Sequence, residues 1–118
     1  MRALFLKDAE TAPAIQTVED SAAGAADAVV SLRAAGLNHR ELWIAKGQYP
    51  GMTLPATLGA DGAGVVETVG SDGDQALSGQ EVVLYPGLGW GDDLRFPSAG
   101  FGLLGMPGPG NIAESIAV

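Results

Sequence analysis

Glycine and proline interrupt this chain so often that it has little room for long helices. Eighteen Gly and seven Pro are spread through 118 residues. Inside a helix, Gly costs about 1 kcal/mol and Pro about 3 kcal/mol relative to Ala. A chain punctuated this densely suits many short strands joined by turns. The best helix candidate is Asn38 to Lys46. Asn38 can cap its first turn, Glu41 three residues on can reach back to the Asn38 N–H, and Gly47 would end it.

The rest of the chain reads as strands. Residues 2–7 alternate Arg2, Leu4 and Leu6 against Ala3, Phe5 and Lys7, and residues 14–19 form a weaker strand. From 27 to 34 the period is two, with Ala28, Val30, Leu32 and Ala34 on one side and Asp27, Val29, Ser31 and Arg33 on the other. Val65, Val66 and Val69 make a strand that ends at Gly70, followed by the turn Ser71-Asp72-Gly73-Asp74. Glu81 to Tyr85 suits a buried strand, and Ile112 to Val118 a final one. Between them, Pro86 to Gly110 is mostly loop, a length that in a small domain tends to be functional or flexible. Many strands, one helix and no alternation of strand with helix predict a mainly β fold, a partly closed barrel with one or two short helices.

Composition excludes several classes of function. The net charge of -8 leaves no positive face with which to displace counterions from a nucleic acid. With no cysteine there is no disulfide, thiolate metal site or Cys nucleophile. No apolar run approaches the length of a membrane span, and the opening Met1-Arg2-Ala3-Leu4-Phe5-Leu6-Lys7 lacks the features of a signal peptide. The expectation is a soluble, cytoplasmic protein.

Two glycine motifs invite a phosphate-binding reading. Gly100-Phe101-Gly102-Leu103-Leu104-Gly105 matches G-x-G-x-x-G literally, but that mechanism needs a strand before it and a helix after it. Phe96-Pro97-Ser98 precedes and Met106-Pro107-Gly108-Pro109-Gly110 follows, so the context is wrong. In Gly62-Ala63-Gly64-Val65-Val66-Glu67 the third glycine is replaced by Glu67 and the residues after it favour strand. Small residues there suit a tight turn and close backbone packing, with Asp61 capping or orienting a neighbour.

The helix candidate concentrates the chemistry-bearing side chains. His39 is the only histidine, and a catalytic zinc keeps about three protein ligands, so two carboxylates would have to join it. By default His39 faces solvent. Asn38 is either a helix cap or an amide facing a pocket. Trp43 and Tyr49 suit a core, and equally a flat apolar ligand or a nicotinamide ring. Arg40, Glu41 and Lys46 read most simply as solvated helix charges, although the guanidinium of Arg40 also suits an anionic ligand.

Taken in order, Ala35-Gly36-Leu37-Asn38-His39-Arg40-Glu41-Leu42-Trp43, Gly47-Gln48-Tyr49-Pro50, Leu58 to Gly70, Gly79-Gln80-Glu81-Val82-Val83 and Ala113-Glu114 resemble the N-terminal catalytic domain of the medium-chain dehydrogenase/reductase superfamily. The resemblance implies a GroES-like fold over residues 1–118. Within the superfamily the chain is most similar to the zinc-free, quinone-oxidoreductase-like branch. Zinc-dependent alcohol dehydrogenases carry Cys at the position of Asn38 and His at that of Ala60, and a cysteine-rich lobe after the position of Tyr85. None of these is present here.

The resemblance implies hydride transfer from NADPH, without zinc, to a quinone or an α,β-unsaturated carbonyl compound. Asn38 and Tyr49 match positions lining the nicotinamide and substrate pocket and are the candidate catalytic, orienting groups. Asn38, His39, Arg40 and Trp43 are the candidate cofactor contacts. It also implies a partner Rossmann domain of roughly 150 residues, not contained in this chain, and a possible homodimer of the longer protein. The chain alone is then expected to be inactive and to bind nicotinamide dinucleotide weakly. Two alternatives stay open. One is a non-catalytic GroES-like interaction module with Leu88, Trp90, Leu94 and Phe101 on its surface. The other is a zinc alcohol dehydrogenase with atypical ligands.

Overall fold

Antiparallel pairing organises the chain in the computed structural model, which describes residues 1–118. The strands are β1 (Arg2–Leu6), β2 (Ala14–Thr17), β3 (Ala28–Gly36), β4 (Ala56–Thr57), β5 (Asp61–Val69), β6 (Glu81–Val83), β7 (Gly87–Leu88), β8 (Gly102–Leu103) and β9 (Ser115–Ala117). One helix, α1 (His39–Ala45), and a 3-10 turn at Gln75–Leu77 complete the set. The sheets run β2-β1-β4, β6-β5-β3-β9 and β7-β8. The mainly β reading with short helices therefore holds, and the sheets stay open without closing into a barrel.

The last residues of the chain tie two of these sheets together. The Leu4 N–H donates to the Ile112 carbonyl at 2.7 Å and the Glu114 N–H to the Arg2 carbonyl at 3.1 Å. A few residues later β9 pairs with β3 at Val29↔Ala117, Val30↔Ile116 and Ser31↔Ser115. The pairings at opposite ends of one short segment hold the β1 and β3 sheets in register.

Two apolar clusters fill the interior. Leu6, Ile44, Ala56, Leu58 and Met106 form the first, with Tyr49, Met52 and Leu54 packed against it. Val30, Val66, Leu104 and Ile116 form the second. Each fully buried aliphatic side chain contributes about 1.5–3 kcal/mol. Leu104 and Met106 enter different clusters from one loop, so that loop seats both cores.

Four expectations need correction. The alternation of β3 is broken by irregularities between Val29 and Val30 and between Leu32 and Ala34, and both valines are buried. A bulge inserts an extra residue and resets which face follows, which the repeat along one strand does not reveal. Gly62-Ala63-Gly64 is not a turn but the interior of β5. Close packing is real there: a Cβ on Gly64 would lie 2.1 Å from the Ser31 carbonyl oxygen. β6 is an edge strand, not a buried one, with Val83 84% exposed. Finally, the long loop carries the short β7–β8 ribbon, while the segment after Gly105 forms no helix, in agreement with its sequence.

Candidate functional site

Helix α1 starts as its sequence dictates. Asn38 is the N-cap in extended conformation, and the Glu41 Oε2 accepts the Asn38 backbone N–H at 2.9 Å. Gly47, with φ of 68°, donates its N–H to the Ile44 carbonyl at 2.9 Å and ends the helix.

The inward face overturns the solvated-charge reading of Arg40 and Glu41. Glu41 is only 3% exposed. The Arg40 guanidinium donates to the Leu104 carbonyl at 2.8 Å and the Met106 carbonyl at 3.3 Å. It also lies 5.2 Å from the centre of the Tyr49 ring, within cation–π range. Arg40 Nε stands 3.7 Å from Glu41 Oε1, too far for a hydrogen bond, and neither atom has another partner. Arg40 thus clamps the loop that seats both cores onto α1, and that work occupies the fork expected to meet an anion.

The outward face carries different chemistry. His39 and Trp43 stack with centroids 5.6 Å apart and planes 11° from parallel. The Lys46 ammonium lies 5.8 Å from the Trp43 ring. Both aromatics are exposed, and so is Asn38. The Asn38 Nδ2 donates to the Asp61 carboxylate at the start of β5. Beside Asp61 a cavity of about 320 Å³ is lined by Ala34, Gly36, Gly62 and Leu84 among others. An equally large apolar cavity between Val30, Val66, Val69, Leu77 and Val118 contains none of the candidate residues.

The five candidates, together with Asp61, are therefore sorted into three pairs. Asn38 meets Asp61, His39 meets Trp43, and Arg40 meets Tyr49. Tyr49 is half-buried against the first core. Sequence reasoning gave Asp61 only an orienting role and left it out of the site. Its one sequence signal is an acidic residue opening a run of small residues. Asn111 was missed altogether: fully buried, it donates Nδ2 to the Ala60 carbonyl at 2.8 Å while its Oδ1 has no partner. No group of three or more His, Asp or Glu side chains of this chain is gathered as metal ligands.

With this geometry in place, comparison with known proteins gives the family. The family described as the alcohol dehydrogenase GroES-like domain matches residues 24–118, and the chain belongs to it. It is 31% identical over 86 residues to the zinc-type alcohol dehydrogenase-like protein YogA of Leptosphaeria maculans, covering 70% of this chain and 24% of that protein. It is 38% identical over 71 residues to the quinone oxidoreductase of Salmonella typhimurium, covering 58% and 22%. Among solved structures, an NAD-dependent alcohol dehydrogenase superposes with a TM-score of 0.87 at 32% identity, over 100% of this chain and 37% of that one. These relatives are oxidoreductases, and the matched region spans about a quarter of the length of the two curated ones.

Proposed function

We propose that this chain is the substrate-side domain of an NADPH-dependent, zinc-free reductase acting on quinones or α,β-unsaturated carbonyl compounds. The observation that carries the reading is the exposed Asn38 amide. Glu41 holds the residue at its backbone N–H, and Asp61 holds it at the side-chain amide nitrogen. Likeness to a quinone oxidoreductase supports the same branch.

The bound dinucleotide, held mainly by a separate Rossmann domain, supplies the hydride. The residues of this chain bind and orient. The stacked, exposed His39–Trp43 pair offers a flat surface on the outer face of α1 for a planar ring. Asn38 supplies a fixed amide for a hydrogen bond to the ligand, and the Tyr49 hydroxyl, on a ring steadied by Arg40, supplies a second polar group. Arg40 serves through positioning, since its guanidinium is engaged with the 104–106 loop.

The test is a steady-state assay of the natural protein. It should oxidise NADPH in the presence of a simple benzoquinone, and chelators should not slow it. Asn38→Ala should lower turnover by about tenfold or more, the scale of one lost orienting contact. Oxidation of an alcohol with NAD, accompanied by one stoichiometric zinc, would instead support the atypical-ligand alcohol dehydrogenase. By calorimetry the 118-residue chain alone should bind NADPH only weakly. A second reading, an interaction module without chemistry, is favoured by the exposed Leu94 and Phe96. Absence of turnover with every dinucleotide and acceptor pair would select it.

A further inference from the structure

Asp61 sits where β5 begins, directly across from Gly36 at the end of β3. A Cβ on Gly36 would lie 3.0 Å from the Asp61 Cβ and 3.2 Å from its Oδ2. The bare glycine therefore lets the Asp61 side chain lie across the strand end, where its Oδ2 accepts from Asn38 Nδ2. An ionised carboxylate only accepts hydrogen bonds. The nitrogen of the Asn38 amide is thereby turned toward Asp61 and its oxygen is turned away. Glu41 meanwhile takes the Asn38 backbone N–H. Carboxylates from two different elements thus pin one exposed asparagine at both its backbone and its side chain.

We infer that Asp61 is a positioning residue: it fixes the orientation of the Asn38 amide, and through it the polar groups that Asn38 presents to a ligand. This rests on the reading of Asn38 as a pocket group given above. Asp61 needs no contact with substrate for this role, and Gly36 is part of the same device. Asn38 is also the N-cap of α1 in a capping box with Glu41, and Asp61 adds a hold on the nitrogen of its side-chain amide. Held by Asp61, it offers one arrangement of donor and acceptor.

Two measurements test the inference. The first is side-chain amide hydrogen exchange of Asn38 in the 118-residue chain, followed by NMR. Asp61→Ala should speed exchange of the bonded Nδ2 proton several-fold. Asp61→Asn, whose side-chain oxygen can still accept, should keep most of the protection. Gly36→Ala, which alters neither partner chemically, should also speed it. Unchanged exchange in Asp61→Ala overturns the inference.

The second measurement is turnover of the natural protein with NADPH and a quinone. Asp61→Ala should lower kcat by about tenfold with KM changed less than about twofold, as expected when an orienting group is loosened. Asp61→Asn should recover most of that loss, and Asp61→Ala should cost nothing further in an Asn38→Ala background. Additive losses in the double variant, or equal losses in the Asn and Ala variants, overturn the inference. If the exchange results hold while the wild type reduces no quinone, the fixed amide stands and the reductase reading falls.

Discussion

Two arginine–glutamate pairs in this molecule look alike on paper and do opposite work. Arg2 and Glu114 lie at opposite ends of the chain, 2.6 Å apart, with side chains 73% and 48% exposed. Arg40 and Glu41 are sequence neighbours 3.7 Å apart, with side chains 14% and 3% exposed. By distance the first pair is the better ion pair. By burial the second carries more, because a charge removed from water must find partners inside the protein. Arg40 finds them in two carbonyls of the loop that serves both cores. The energetics of an ion pair here follow from what else each charge touches, more than from its own length.

The largest break in that comparison should come from Arg40→Met. The substitution keeps much of the side-chain volume. It also strips the Leu104 and Met106 carbonyls of a donor and leaves the Glu41 carboxylate without its cation. A loss of about 3 kcal/mol is expected, in the range for removing one member of a buried pair. Urea unfolding measures it, and a loss below about 1 kcal/mol would show that the clamp is dispensable. Arg40→Lys should recover less than half, since a single ammonium cannot span both carbonyls as the planar fork does.

The next largest effect should come from the loop on the other side of the clamp. Gly105 has φ of 81°, and a Cβ there would stand 2.6 Å from the Gly59 carbonyl oxygen. Gly105→Ala therefore meets both a left-handed backbone and a clash, and should cost about 2 kcal/mol. If the same unfolding experiment finds it neutral, the loop has room to move and Arg40 is not holding a fixed object.

How much of this was legible in the sequence follows the range of each interaction. The helix start is local: Asn38 and Glu41 lie three residues apart, and their hydrogen bond formed as the pattern suggested. Strand β1 and the start of β3 were legible for the same reason, through alternation of neighbours, whereas the two-residue strands β4, β7 and β8 lie in segments that read as loop. The burial of Arg40 was not, because its partner carbonyls lie 64 and 66 residues away and the backbone groups of any residue look alike in a sequence. The contact between Asn38 and Asp61 spans 23 residues and depends on β3 and β5 pairing with Gly36 opposite Asp61. The irregular register of β3 likewise belongs to the pair of strands and not to either alone. The resemblance located the segment around Asn38. Only the fold divided that segment into a structural inner face and an exposed outer one.

That division predicts a smaller effect on stability for the outer face. Trp43 is 44% exposed and stacks only on His39, under Lys46. Trp43→Ala should change unfolding free energy by less than about 1 kcal/mol. Under the proposed function it should raise KM for a flat substrate, so stability and kinetics separate at this residue. A destabilisation comparable to that of Arg40→Met would erase the distinction between the two faces.

The smallest effect belongs to the exposed pair, and pH is the means to see it. The backbone N–H and then the guanidinium of Arg2 hold the Glu114 carboxyl below the ordinary glutamate range. A group whose folded-state pKa is depressed contributes stability above its unfolded pKa and loses it as pH falls through the folded one. The contribution should therefore be complete at neutral pH and disappear only on the acid side of the ordinary glutamate range. Arg2→Ala removes the guanidinium but keeps the backbone donor. It should raise the Glu114 midpoint in a carbon-detected NMR titration part of the way back, with little change in the urea midpoint at neutral pH. Added salt should weaken what remains, because exposed charges are screened. If instead Arg2→Ala destabilises the protein as much as Arg40→Met, burial is not what separates the two pairs, and the short β1–Glu114 bridge carries weight that its exposure conceals.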